Sequence, residues 1–282
     1  MKNFPKRYSC PFHYRGSILV FSVWVLTFFS ILSVAIFNIV SAQLRLNKAI
    51  EDRIVSSRLA RAAFIYARAN NKMDTTSYDT LAELRQEQAK EFGGLKFVYT
   101  LVDEESKINL NTSSIALLAR LPGVDLDVAE KIFTSDLKPF VRKEEVLLVE
   151  GVTEEMFNGF QDIVTVHSSG KININTVGPE ALKVLGCDQG LVDIIVGFRN
   201  GPDEDEATGD DGVFEDPGGI LNKLRAYTML SGSQEVALLQ VMSLLCTDSV
   251  NFSLEVKTST VGKPVMKYSI VMDANKIKQW SE

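Results

Sequence analysis

The apolar and polar positions divide the chain into distinct stretches. From Gly16 to Leu44 no residue is charged; Arg15 precedes the run and Arg45 follows it. Val, Ile, Leu and Phe dominate it, Trp24 sits near its start, and after Gly16 it holds neither proline nor glycine. Its length exceeds the roughly 20 residues a helix needs to cross the hydrocarbon core of a bilayer. The pattern predicts a transmembrane helix. Beyond it Leu46, Ile50 and Ile54, then Ala60, Phe64 and Ala67, recur at helical spacing beside Arg45, Lys48, Arg53 and Arg61. No Pro or Gly interrupts residues 17–70. One long helix is expected, apolar in its first half and amphipathic in its second.

Residues 72–94 read as a polar connection and a short helix, Leu81 to Phe92, closed by Gly93-Gly94. Phe97, Tyr99 and Leu101 then alternate with Lys96, Val98 and Thr100, the period of a strand. Near the other end, Ser233 to Leu245 reads as a helix. Phe252, Leu254 and Val256 alternate with Ser253, Glu255 and Lys257, and Met266, Tyr268, Ile270 and Met272 form a second apolar face. Val261-Gly262-Lys263-Pro264 turns between them. This is an antiparallel hairpin at one edge of a small sheet.

Between these ends a motif occurs twice. Lys107-Ile108-Asn109-Leu110-Asn111-Thr112 returns as Lys171-Ile172-Asn173-Ile174-Asn175-Thr176. Each copy is followed by a helical stretch and a glycine: Ile115 to Leu121 with Pro122-Gly123, and Glu180 to Leu185 with Gly186. Ile-Asn-x-Asn-Thr reads as a strand end running into a helix start, where Asn and Thr side chains cap exposed N–H groups. Two related helical units are expected.

Leu117 to Val124, with Val128, Ala129 and Ile132, resembles a helix-hairpin-helix, whose turn can offer backbone N–H groups to a DNA phosphate. Val149-Glu150-Gly151-Val152, with Met156 and Phe157, looks like a second such turn. Asp125 stands where the turn's second glycine is usual, and Glu150, Glu154 and Glu155 crowd the second turn. These charges favour a hairpin used only to pack helices.

From Gly201 to Gly219 the chain is acidic and flexible. Asp203, Asp205, Asp210, Asp211, Glu215 and Asp216, with Glu204 and Glu206, fall in one short loop. Hard cations take six to eight oxygens from such loops, and so many like charges repel one another without a counterion. A calcium loop and a solvated acidic loop are the two readings; the spacing is not that of an EF-hand.

The 282 residues carry a formal net charge of −6. Without residues 1–16, which hold Lys2, Lys6, Arg7 and Arg15 and no acid, 26 basic residues would face 36 acidic ones, a net charge of −10. Such a domain is poorly suited to holding nucleic acid through phosphates. Cys10, Cys187 and Cys246 show no metal-type spacing, and the last two read either as a pair or as buried free thiols. His167 is the only histidine after residue 16. With no Walker A loop, GxGxxG or HExxH, the expectation is a non-enzymatic protein.

The N-terminus admits three readings. A plain signal anchor is one. A secretory signal cleaved after Val40-Ser41-Ala42 is another, although its apolar core would be longer than usual. The third is a short basic prepilin-type leader ending in glycine, cut between Gly16 and Ser17, which leaves the helix in the mature protein. Basic residues flank the helix on both sides, so charge alone does not set orientation.

Together the leader ending Arg15-Gly16, the long helix, the two Ile-Asn-x-Asn-Thr motifs and the helical units resemble the minor pseudopilin K family of type II secretion systems. The resemblance implies cleavage by a prepilin peptidase and methylation of Ser17. It implies an α+β fold: a pilin-like long N-terminal helix packed on a small antiparallel sheet, with a large all-α (helix-hairpin-helix or SAM-like) insertion. On that reading residues 1–16 are leader and 17–44 are transmembrane. The pilin-like domain takes 45–111 and 249–282. The insertion takes 112–248, with units 112–165 and 176–248 separated by a strand at 166–175. Phe21 occupies the fifth mature position, where most pilins carry glutamate to pair with the subunit above. Its absence implies a tip position with minor pseudopilins I and J above the major pseudopilin. The implied location is the inner membrane with the bulk in the periplasm, supporting protein secretion; calcium in the acidic loop is consistent with the family. The rival is a DNA-binding membrane protein of an uptake filament.

Overall fold

The computed structural model describes residues 17–71, 76–260, 265–273 and 276–281. Gly16 and the turn at 261–264 lie outside the described residues. The chain divides into two units, up to Val55 and from Ser56.

The first unit is helix α1, Ser17–Asn71, as far as Val55. It is the one described helix long and apolar enough to cross a membrane. Its large side chains, from Ile18 through Leu44, are exposed. The hydroxyls of Ser22, Thr27 and Ser30 donate back to carbonyls one turn earlier, which satisfies them without water. Leu46, Ile50 and Ile54 are exposed as well.

In the second unit the last turns of α1 change character. Ser56, Leu59, Ala60, Ala63, Phe64 and Ala67 are buried, a stripe at i, i+3/i+4 and i+7. Small residues there let the helix lie close to a sheet. Tyr66 packs edge-on against Phe97 and Tyr99, and Arg61 lies over Trp280.

That sheet has five strands: β1 (Gln88–Phe92), β2 (Leu95–Asp103), β7 (Asn251–Thr260), β8 (Met266–Asp273) and β9 (Ile277–Ser281), all antiparallel, in that order. The expected alternation holds: Phe97, Tyr99, Phe252, Leu254, Val256, Tyr268, Ile270 and Met272 are buried. Two details differ. Helix α2 stops at Leu84 after one turn (Leu81–Leu84), held by a Thr80–Glu83 capping box, and Gln88–Phe92 is a strand. Gly93 and Gly94, at φ of 57° and 80°, form the two-residue turn of the β1–β2 hairpin rather than a helix stop. The expected edge hairpin is also more central, because β7 pairs with β2 and β8 lies inside β9.

Everything between β2 and β7 is an insertion, since those two strands are direct neighbours. Its first half runs β3 (Ile108–Asn109), α3 (Ile115–Leu118), α4 (Leu126–Thr134), a 3-10 turn (Lys143–Leu148), α5 (Glu154–Phe160) and β4 (Val164–Thr165). Its second half runs β5 (Ile172–Asn173), α6 (Pro179–Leu185), α7 (Gln189–Arg199), α8 (Ile220–Tyr227), α9 (Gly232–Val241) and β6 (Leu245–Cys246). Each half opens and closes with strands that pair in parallel, β3 with β4 and β5 with β6. The insertion is therefore mainly helical with two short strand pairs. Both halves share one apolar core, from Ile108 and Leu118 to Leu182, Ile195 and Leu245. The helix expected through Leu245 gives way at Val241 to a 3-10 turn, because Leu245 pairs with Ile172.

Candidate functional site

The repeated asparagines lie where the strand of each half turns into its helices. Asn109 and Asn173 accept through Oδ1 the N–H two residues on, from Asn111 at 2.8 Å and Asn175 at 2.9 Å. Such turns swing the chain off the strand. The second asparagine reaches further. Asn111 Oδ1 accepts the Phe140 N–H at 2.8 Å while its Nδ2 donates to the Phe140 carbonyl at 3.0 Å and to Val166. Asn175 does the same with Phe214, both bonds at 2.9 Å, and with Thr247. The carboxamides were expected to cap helices. They instead fasten a distant loop and the strand end of their own half, while Ser114 caps α3 and Gly178 precedes Pro179 at α6. Thr112 stands against Gly170, where a Cβ would lie 2.6 Å from its hydroxyl.

Three consecutive acids at the end of β2 join this double unit to the sheet. Asp103, Glu104 and Glu105 are all buried. Asp103 accepts from the Thr176 and Ser249 hydroxyls and from Asn173 Nδ2 at 3.1 Å, which ties it to the second half. Glu104 accepts from the hydroxyls of Thr165 and Ser253 and from Lys107, which ties β4 to β7. Glu105 accepts from Ser169 N and from both the backbone and side chain of Asn251. Burial pushes Asp103 up to about 6 against the pull of the Thr176 and Ser249 hydroxyls. Burial also raises Glu104, but Lys107 and its hydroxyl donors outweigh it and leave that carboxyl below the usual value. Sequence reasoning missed this trio. Its only signal was three acids in a row directly after an alternating strand, which local sequence does not distinguish from a solvated turn.

Two arginines hold the insertion together, one across its two halves and one within the second. Arg120 donates to the Leu185 carbonyl at 2.8 Å, and Gly186, at φ 110°, leaves it room. Arg199, buried, donates to the carbonyls of Ile174 and Val177; burial pulls its pKa down to about 10.

The two hairpin turns pack on each other. Gly123, at φ 76°, faces Met156, and Gly151, at φ 94°, faces Val128. Asp125 caps α4, its Oδ1 accepting the Val128 N–H at 2.9 Å. That carboxylate occupies the donor a phosphate would need. Lys131, close by, is held by Asp127 at 2.9 Å and Glu150 at 3.6 Å. The geometry suits helix packing and opposes an anion.

In the acidic loop the carboxylates serve the loop itself. Asp203 accepts the Asp205 N–H, Asp211 accepts those of Ala207 and Thr208, Asp210 the Thr208 hydroxyl, and Asp216 the Gly219 N–H. Glu215 pairs with Lys223, and Glu206 with Arg85 at 2.8 Å. Among the described residues no three His, Cys, Asp or Glu side chains are arranged to hold a metal ion. As arranged, the six expected calcium ligands do not form a cage. Cys187 and Cys246 are free and buried, their thiols pushed up by burial to about 11 and about 12. His167 Nε2 lies 2.8 Å from Gln279 Oε1 and joins the loop after β4 to β9. Ser17 begins α1.

Residues 103–165 match a family model described as a helix-hairpin-helix motif. That span runs from Asp103 to the end of β4, the first half of the insertion with its acidic junction. No curated protein matches the chain. Among solved structures, the crystal structure of the GspK-GspI-GspJ complex from the enterotoxigenic Escherichia coli type 2 secretion system is similar at 16% identity. The match covers 81% of this chain and 96% of that one, with a TM-score of 0.47.

Proposed function

We propose that the chain is a membrane-anchored, non-enzymatic structural subunit of a pilus-like secretion filament, of the minor pseudopilin K kind. One observation carries this reading. A single helix is apolar and exposed through residues 18–44, then turns a small-residue stripe, Ser56, Ala60, Ala63 and Ala67, onto an antiparallel sheet whose neighbouring strands β2 and β7 are separated in sequence by a double helical insertion. A bare membrane anchor has no use for such a continuation; a subunit that stacks its helix among others does.

The finer parts of the proposal follow the sequence. A prepilin peptidase cuts between Gly16 and Ser17, the new terminus is methylated, and the bulk of the chain lies in the periplasm. Phe21 in place of glutamate supports a position at the tip, with minor pseudopilins I and J beside the chain and the major pseudopilin below. A Ca²⁺ ion in the 203–216 loop belongs to the same proposal on carboxylate density. It requires Asp203, Asp210 and Asp211 to exchange hydrogen bonds within the loop for the ion.

The test is the mass and N-terminal sequence of the protein from membranes of cells with and without a prepilin peptidase. A methylated Ser17 terminus that depends on the peptidase is expected. A start at Gln43, or an intact Met1, sinks the filament reading.

The rival, DNA binding by the hairpin turns, is opposed by Asp125, which takes the Val128 N–H, and by the acids around Lys131.

A further inference from the structure

We infer that Arg45 and Lys48 hold the phosphate of an anionic phospholipid headgroup at one face of the bilayer. The inference rests on the reading that α1 crosses a membrane.

They are the first charged residues after Arg15. Both are exposed on an unbroken helix, and neither makes an ion pair among the described residues. Three residues apart, they project from one side of the helix within about 4.5 Å of axial rise. An arginine fork and a lysine ammonium at that spacing suit a phosphate, which takes the first in two parallel bonds and the second as a point charge.

Their depth fits a headgroup. Trp24 is exposed and precedes Arg45 by 21 positions. At about 1.5 Å per residue that is roughly 32 Å, against a hydrocarbon core of about 30 Å. Tryptophan favours one interface, and arginine and lysine reach into the headgroups of the other. Two of the hydroxyls inside this interval, those of Thr27 and Ser30, are bonded to the helix backbone.

A lipid fits better than a free anion. Leu44 and Leu46, exposed on either side of Arg45, offer acyl chains a surface beside the phosphate. The nearest acids in sequence, Glu51 and Asp52, stand about 9 Å or more further along the axis than Arg45, and about 4.5 and 6 Å beyond Lys48. Arg45 therefore meets an anion at the headgroup level with no acid beside it in sequence, while Lys48 reaches that anion from the edge of the acidic level.

The experiment uses the full chain in nanodiscs made from equal parts of phosphatidylethanolamine and phosphatidylglycerol. Lipids that stay with the protein on gentle extraction are counted by mass spectrometry. The ratio of phosphatidylglycerol to phosphatidylethanolamine among the retained lipids should exceed the bulk ratio roughly fivefold or more, the scale set by about 1 kcal/mol for each cation near an anionic surface. The double variant R45Q/K48Q should fall to the bulk ratio, and R45K/K48R should keep most of the enrichment. Absence of enrichment in the native chain, or equal enrichment in R45Q/K48Q, overturns the inference. Displacement by inorganic phosphate also overturns it, in favour of a free-anion site. A chain absent from the membrane fraction instead overturns the anchor reading beneath it, so the two failures are separable.

Discussion

Asn175 holds Phe214 by both edges of its carboxamide: Oδ1 accepts the Phe214 N–H and Nδ2 donates to the Phe214 carbonyl, each at 2.9 Å. A side chain here does the work of a strand neighbour, closing a loop that has no backbone partner at that point. Asn111 and Phe140 repeat the arrangement in the first half of the insertion. The repetition shows that the motif shared by the two halves is a fastening device.

Removing the clasp leaves a buried N–H and a buried carbonyl unpaired. Asn175→Ala should cost about 2–4 kcal/mol of unfolding free energy, since each orphaned group costs about 1–3 kcal/mol. Asn111 is only half-buried, so Asn111→Ala should cost less, about 1–2 kcal/mol. Urea unfolding of the full chain in detergent measures both. Equal losses would mean that the two clasps are not graded by burial.

The acid junction gives a pH dependence with a definite sign. Burial raises Asp103 from an ordinary 3.8 to about 6 in the folded chain, so the folded state binds a proton more readily than the unfolded one. Its contribution is most favourable below pH 4 and declines as pH rises to 6. The stability of the native chain minus that of Asp103→Asn should grow by about 2–3 kcal/mol from pH 7 to pH 4, since one pKa unit corresponds to 1.36 kcal/mol. Glu104, held below the usual value, loses its contribution as pH falls, but it is common to both proteins and cancels. A flat difference across that range would show that Asp103 is not strained by burial.

Nucleic acid should bind poorly. Fluorescence anisotropy of a labelled duplex with the full chain should show no affinity tighter than about 10⁻⁴ M at physiological salt, the weak end of non-specific binding. Tighter, salt-sensitive binding that Gly123→Asp abolishes would return the hairpin turns to a phosphate-binding role.

Calcium should act on the 203–216 loop alone. Added Ca²⁺ should slow proteolysis near Thr208 and raise the melting temperature, and EDTA should reverse both. Asp211→Asn should weaken the response. If Ca²⁺ changes neither readout, the loop is closed by its own backbone contacts, as Asp211 with Ala207 and Thr208 already suggests.

Periodic features were legible because they need only neighbours in sequence. The charge-free run marked the apolar helix, and alternation marked β2, β7 and β8. The Leu81–Phe92 segment misled, because a helical spacing of apolar residues says nothing about β2, whose register from Gln88↔Tyr99 to Phe92↔Leu95 draws these residues into a strand. The Gly93-Gly94 pair between two β-capable runs was the missed sign. Strand β9 was missed for a related reason: Ile277–Ser281 is too short to show a period and is a strand because β8 is beside it.

By itself the sequence determined the long apolar helix, its amphipathic continuation, and the existence of two copies of one motif. Each is written in spacing and composition. What those copies do was decided only by the tertiary structure. Asn111 and Asn175 find Phe140 and Phe214, Asp103 finds the hydroxyl of Thr176, Glu104 those of Thr165 and Ser253, and Glu105 finds Asn251, across dozens of intervening residues. A buried polar group must be paired, but local sequence does not say with whom. The folded chain supplies the partner by closing each half with a parallel strand pair and setting both against the end of β2.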